Sequence, residues 1–261
     1  MNQDLAVLFS NQGIIVFLLV LARVSGMFTT APLFSTFPIP MMVKACLSAL
    51  VGFIIFPFVL TSAHFQMPHD MVMLSVLIFK EMLVGILIGF SANLIFIGIE
   101  IGGQLLAIQM GLSIAEALDP VTKQQVPIIG QFYLFIACIL FIYLNGHHWL
   151  ITCIYGSYHS IPINLNFEFT TEIVQKLLFF IGQLFSIAFS IIMPVFGLLF
   201  IIDIALAFIS KMMPQINIFM VSLPLKIYVG IVLMSLFITT TAAYMSGLIQ
   251  TLLDNIRGIF V

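Results

Sequence analysis

Long apolar runs separated by short polar breaks set the pattern of this chain. The runs cover approximately 13–34, 45–63, 71–101, 128–144, 177–209 and 216–252. Turn signals stand between them: "PLFSTFPIP" (32–40), "SAHFQMPHD" (62–70), "MGLSIAEALDPVTKQQVP" (110–127), "LNGHHW" (144–149) and "HSIPINLNFEFTTE" (159–172). An α-helix needs about 20 apolar residues to cross a hydrocarbon core of about 30 Å, so the runs predict roughly five to seven membrane-scale helices. The fold class expected is all-α, a membrane-associated bundle of long kinked helices. Runs 71–101 and 177–209 would each extend about 45 Å as straight helix. They must tilt, break or leave the lipid.

Composition agrees with that pattern. Charged residues make up 7% of the chain and hydrophobic residues 62%, with 27 Phe, against roughly a quarter charged in a soluble domain. Mean hydropathy is +1.25. Such a chain cannot cover a water-exposed surface with polar groups. It is an integral membrane protein or a subunit buried in a membrane-embedded complex. The formal net charge of −2, without clustered Lys and Arg, gives no footprint for nucleic acid. The start, "MNQDLAVLFSN", lacks a basic n-region and is followed by no small-residue cleavage site, which points to a retained membrane segment. Cys46, Cys138 and Cys153 sit in apolar contexts without metal-ligand spacing and read as small buried hydrophobes.

Within the runs stand residues that lipid does not tolerate: Lys80 and Glu81, Glu100 in "FIGIEIGGQ", and Asp203 in "LLFIIDIALAF". A charge at the bilayer centre costs at least about 2.5–3.5 kcal/mol, so these groups should face protein or a water-filled cavity. Together with Lys211 they are expected to pair within the subunit or across its interfaces. A direct part in moving protons or substrate is the other reading.

Small residues and prolines add detail. "GILIG" (85–89) and "GIEIG" (98–102) carry glycines four apart, which lets helix backbones approach closely and predicts a helix packed on several sides. Pro194 should kink its helix by removing one backbone hydrogen bond. Pro214 and Pro224 bracket "PQINIFMVSLP", read as a turn or broken helix between two long antiparallel helices. Flanking Lys211 and Lys226 point to a cytoplasmic tip.

The chemistry of an enzyme is missing from the sequence. It holds no paired-His zinc helix, nucleophile elbow or glycine-rich phosphate loop with lysine. His147 and His148 are adjacent, about 100° apart on a helix, and beside Trp149 they read as an interfacial turn. No metal or cofactor is expected.

The stretch 104–127 has two readings. Asp119-Pro120 favours a turn, as in an ordinary surface loop. Yet Gln104, Leu105, Leu106, Ile108, Met110, Leu112 and Ile114 interleave bulky side chains with Gly102, Gly103, Gly111 and Ser113. That mixture suits a segment inside a narrow channel, where hydrophobic constrictions gate by dewetting. On this reading about 104–118 closes a pore and 119–127 anchors it.

Four segments carry a likeness to a known family: "LARVSGMFTTAPLFSTFPIPMMVKACLS" (21–48), "QMGLSIAEALDPVTKQQVPIIGQF" (109–132), "FIYLNGHHWLI" (141–151) and "MPQINIFMVSLPLKIYVG" (213–230). In this order and spacing they resemble the FliR/SpaR/YscT-like family of type III secretion export-gate subunits. "GLSIAEALDPVT" and "PQINIFMVSLPLK" look more like the flagellar branch; the virulence injectisome subunit is the alternative. The resemblance implies a FliP-like helical part over 1–175 and a FliQ-like helical hairpin over 176–261. It further implies a single copy assembled with FliP and FliQ homologues, with FlhB at the cytoplasmic entrance. The setting would be the bacterial inner membrane within the flagellar basal body, contacting lipid and passing exported flagellar proteins. The family's plug-like loop would fall on the stretch from Gln104. From a different class, a small-solute secondary transporter with discontinuous helices would use the breaks at Pro194 and Pro214–Pro224, with Asp203 as an ion ligand. No second half repeats the first.

Overall fold

Eight α-helices make up the described residues of a computed structural model: α1 Asn11–Thr30, α2 Pro32–Thr36, α3 Met41–Ser62, α4 Met71–Gln109, α5 Ile128–Tyr143, α6 Gly146–Ser160, α7 Thr171–Met212 and α8 Ile218–Phe260. The structure describes residues 10–62, 70–112, 128–163, 171–215 and 217–260. Most of the break expected at 62–70, the middle of the one expected at 159–172, Ile114 and the anchor at 119–127 lie outside these residues. The chain is all-α, and among the described residues five helices are long and apolar enough to cross a membrane, or six if α5 and α6 count as one span.

Local signals explain the first helix boundaries. Ser10 Oγ accepts from the Gly13 N–H at 3.2 Å, satisfying one of the free donors of a helix start. α1 stops at Thr30 because Ala31 precedes Pro32 and takes the extended conformation (φ −61°, ψ 143°) that a pre-proline residue favours.

Three expectations are corrected. Pro224 does not end a helix; it lies inside α8, as Pro57 does in α3 and Pro194 in α7. A proline costs one hydrogen bond to the carbonyl four residues earlier, a loss that apolar helices tolerate where neighbours re-satisfy it. The "LNGHHW" stretch is not a turn throughout. Asn145 adopts the left-handed conformation (φ 56°) and α6 begins at Gly146, so His147 and His148 sit in its first turn. Finally, 104–109 continues α4 as helix instead of opening a loop.

Two compact units divide the chain. The first gathers Met1–Leu94, Asn145–Phe180 and Thr251–Val261; the second gathers Ile95–Leu144 and Ile181–Gln250. In the first unit α1 packs on α3 and crosses α4 at glycine. A Cβ on Gly26 would overlap the Met82 carbonyl, and one on Gly85 the Arg23 carbonyl. Thr30 Oγ1 spans the same contact, donating to the Ile86 carbonyl at 3.1 Å. In the second unit the later glycines of α4 face a different helix. A Cβ on Gly102 would stand 2.8 Å from the Ala188 carbonyl oxygen of α7, and Phe96 meets Phe141 of α5 edge-on at 5.5 Å. Each glycine pair therefore serves its own helix crossing.

Candidate functional site

Arg23 on α1, in the first unit, is a fully buried charge with 0% exposure. Its Nε donates to Glu81 Oε2 of α4 at 2.6 Å. Its Nη1 donates to Ser157 Oγ of α6 at 2.8 Å, and Nη2 to the Ile161 carbonyl just beyond α6 at 2.9 Å. The guanidinium also lies over the Tyr158 ring, 3.9 Å from its centroid. One planar fork thus ties three helices, a task suited to Arg because its donors diverge in fixed directions. It also places a cation at the C-terminus of α6, where the helix dipole favours one. Lys80 is buried beside the pair. Two buried atoms of the cluster, Glu81 Oε1 and the Tyr158 hydroxyl, meet no hydrogen-bond partner among the described residues.

The second unit holds a different arrangement, at the end of α4. Gly111 has φ +81°, a left-handed value that glycine adopts without a Cβ penalty and that commonly ends helices. Just before it, Gln109 Nε2 donates to Asp203 Oδ2 of α7 at 2.8 Å. The other carboxylate oxygen of Asp203 pairs with Lys226 of α8. Asp203 and Lys226 lie on either side of the break at 213–217, so α7 and α8 run back alongside each other here. Met110 is 0% exposed and its side chain lies over Gly230 of α8. Further back on α4, Gln104 Nε2 donates to Glu100 Oε1 at 3.3 Å, a one-turn pair that supports the helix.

Comparison with known proteins agrees with this all-helical, membrane-scale chain. Residues 14–252 match the family described as Bacterial export proteins, family 1. The chain belongs to that family. It is 32% identical over 250 residues to the flagellar biosynthetic protein FliR of Bacillus subtilis (strain 168), covering 93% of both chains. The FliR of Escherichia coli (strain K12) is 28% identical over 244 residues, covering 92% of this chain and 90% of the relative. For Aquifex aeolicus (strain VF5) FliR the identity is 25% over 242 residues, with 92% of each covered. The family resemblance drawn from the motifs holds over nearly the whole chain, and the relatives place it among flagellar biosynthetic proteins.

For this family member the predicted site residues fall in three places. Lys80 and Glu81 join the Arg23 cluster. Glu100 and Asp203 are partly exposed, each hydrogen-bonded to a glutamine. Lys211 is exposed in the last turn of α7. Of the residues expected from the sequence to close a pore, Leu106 and Met110 are fully buried and Gly111 is buried, whereas Gln104, Leu105 and Leu112 are half-buried. Ile108 is 60% exposed. Cys46 is also exposed, against expectation, while Cys138 and Cys153 are buried.

Sequence reasoning missed Arg23, Ser157 and Tyr158. Arg23 is the sole charged residue of the run 13–34, and the cost of charge in an apolar helix applies to it as it does to Glu81. The same rule would have found it.

Proposed function

We propose that this family member is a structural, pore-forming subunit of the flagellar protein export gate in the bacterial inner membrane. It assembles with FliP, FliQ and FlhB homologues to pass unfolded flagellar proteins, and performs no catalysis itself. Residues 1–175 play the FliP-like part and 176–261 the FliQ-like hairpin. The stretch from Gln104 to about 118 narrows the resting pore.

The observation that supports this reading is the uncovered length of α7 and α8. Within the second unit, Ile181–Met212 and Ile218–Gln250 have contours of about 48 and 50 Å. Large apolar side chains stay exposed along both, from Phe185 to Phe208 on α7 and from Phe219 to Tyr244 on α8. To hide 48 Å of straight helix in about 30 Å of hydrocarbon requires a tilt of about 50°, beyond the usual range of about 0–40°. Helices of other subunits, covering what lipid does not reach, remove the difficulty.

Expression alone should therefore yield aggregated or degraded chain, and co-expression with FliP and FliQ homologues a large complex that survives mild detergent. A monodisperse, protease-resistant monomer, or a homo-oligomer, would count against the gate and favour a transporter. The orientation can be tested separately. Gln215 is exposed at the break between α7 and α8, and the positive-inside tendency of Lys211 and Lys226 sets that tip in the cytoplasm. Gln215→Cys, in a chain with its three cysteines replaced, should resist a membrane-impermeant thiol reagent in intact cells and react in inverted vesicles. Labelling from the periplasm would reverse the topology.

A further inference from the structure

We infer that α3 is a lipid-facing span: the stripe from Met42 to Phe58 lies against bilayer hydrocarbon, uncovered by any other subunit. The inference goes beyond the gate reading, which covers α7 and α8 with partners and assigns no surface of the first unit to lipid.

α3 is apolar on both sides but buried on one. Ser48, Ile55, Phe56 and Val59 are buried, whereas Met42, Leu50, Ile54 and Phe58 are more than half exposed and Phe53 is 68% exposed. The exposed positions recur at about one turn, with the exposed Cys46 between the first two, and so form one stripe. Small residues point the other way. Gly52, the only glycine of α3, lies against the α1 backbone, where an added Cβ would stand 3.7 Å from Leu21 Cα. Contacts between membrane helices favour such small residues. Over 50–58 the outward side presents Leu, Ile and Phe instead, the side chains that a bilayer accepts most readily.

Length decides between lipid and a protein cover. The apolar part of α3, Met41–Leu60, has 20 residues, about 30 Å of helix and the thickness of a bilayer core. α7 and α8 overrun that thickness; α3 matches it. The chemistry also changes at both ends of the stripe. Lys44 stands in the first turn of α3, where its flexible stem can carry the ammonium to the headgroups. At the other end Phe58 meets Tyr155 of α6 edge-on at 6.2 Å, and Tyr155 meets His159 at 5.7 Å. His148, Thr152, Tyr155 and His159 are all exposed, and their spacing of four, three and four puts them on one face of α6. Tyrosine at the edge of an apolar band marks a membrane–water interface. A partner subunit would not require polar limits at the two ends of one bilayer thickness. A bilayer does.

A photoreactive side chain separates lipid from protein as the cover. Phe53 is replaced by p-benzoylphenylalanine, whose excited ketone inserts into nearby C–H bonds, and whole cells are irradiated before the chain is purified. The expected product is this chain heavier by a phospholipid. The same replacement at the inward-facing Phe56 should give several-fold less of that adduct. A cross-link from position 53 to another subunit, or equal lipid adducts at both positions, would overturn the inference. So would the absence of any adduct at position 53. Because the cells carry whatever partners the chain has, the result does not depend on the gate reading; a transporter would give the same lipid adduct.

A second measurement leaves every residue of the stripe in place. Cys46 is labelled with a nitroxide in purified complex reconstituted into phosphatidylcholine vesicles, with Cys138, Cys153 and any cysteines of the partner subunits replaced by Ala. Dissolved oxygen, which concentrates in hydrocarbon, should relax the label several-fold more than a water-soluble nickel chelate. A label that neither reagent reaches would mean that protein covers the stripe, and one that the chelate relaxes as well as oxygen would mean that water does. Either result would overturn the lipid assignment.

Discussion

Arg23→Ala should lower the yield of assembled gate by about tenfold or more, because removing one partner of a buried pair typically costs about 3–5 kcal/mol in a molecule whose net stability is only about 5–15 kcal/mol. The loss at this site is larger than one ion pair. Glu81 would keep a carboxylate with 0% exposure and no cation on Oε2, beside an Oε1 that already meets no partner among the described residues. Ser157 Oγ and the Ile161 carbonyl would each lose a donor, and the Tyr158 ring its cation. Arg23→Lys should fall between, since an ammonium keeps the charge but lacks the planar fork that reaches Glu81, Ser157 and Ile161 at once. Combining Arg23→Met with Glu81→Met should recover more complex than either single change, because an apolar pair of similar volume removes both stranded charges. The measurements are complex yield and protease resistance after co-expression with partner subunits. An Arg23→Ala chain that assembles at normal yield would sink the structural reading. Normal assembly with secretion abolished would move Arg23 from scaffold to transport.

The helical frame was legible in the sequence because apolar runs of this length have few other outcomes. Lys80 and Glu81 were legible for the same reason: charge in such a run must find protein. Their partner was harder. Arg23 lies 58 positions from Glu81 and 134 from Ser157, and no periodicity connects residues so far apart. α6 was hidden by its composition. Its His, Ser, Thr, Tyr and Gly residues resemble an interface, yet Leu150, Cys153, Ile154 and Ser157 face inward. Asn145-Gly146 gave a true turn signal, but the turn is one break between two helices. The end of α4 shows the converse error. Gln104, Leu105, Leu106, Ala107 and Gln109 are good helix formers, so polarity alone did not open a loop there. The helix ends at Gln109, just before Gly111 with its positive φ. The Asp203–Gln109 link could not be read at all, because it depends on how far α4 runs before that glycine.

Removal of residues 113–118 should leave the gate assembled but make it leak ions and small solutes several-fold above the intact gate at rest. A channel wide enough for an unfolded polypeptide would pass ions freely unless something dry and bulky closes it, and apolar constrictions do so by excluding water. The contacts that seat the end of α4 lie before the deletion: Leu106 and Met110, both at 0% exposure, and Gln109 on Asp203. Assembly should therefore survive, which separates this variant from Arg23→Ala. Ile108 offers a milder probe, being the one proposed pore residue among those described that stands mostly exposed, at 60%. Ile108→Ser would exchange an apolar wall for a hydroxyl and should raise conductance by a smaller factor with assembly unchanged. Conductance in cells or vesicles, normalised to assembled complex, is the measurement for both. Deletion gates as tight as the intact ones would mean that the closure lies elsewhere, and the stretch after Gln104 would then be an ordinary connection.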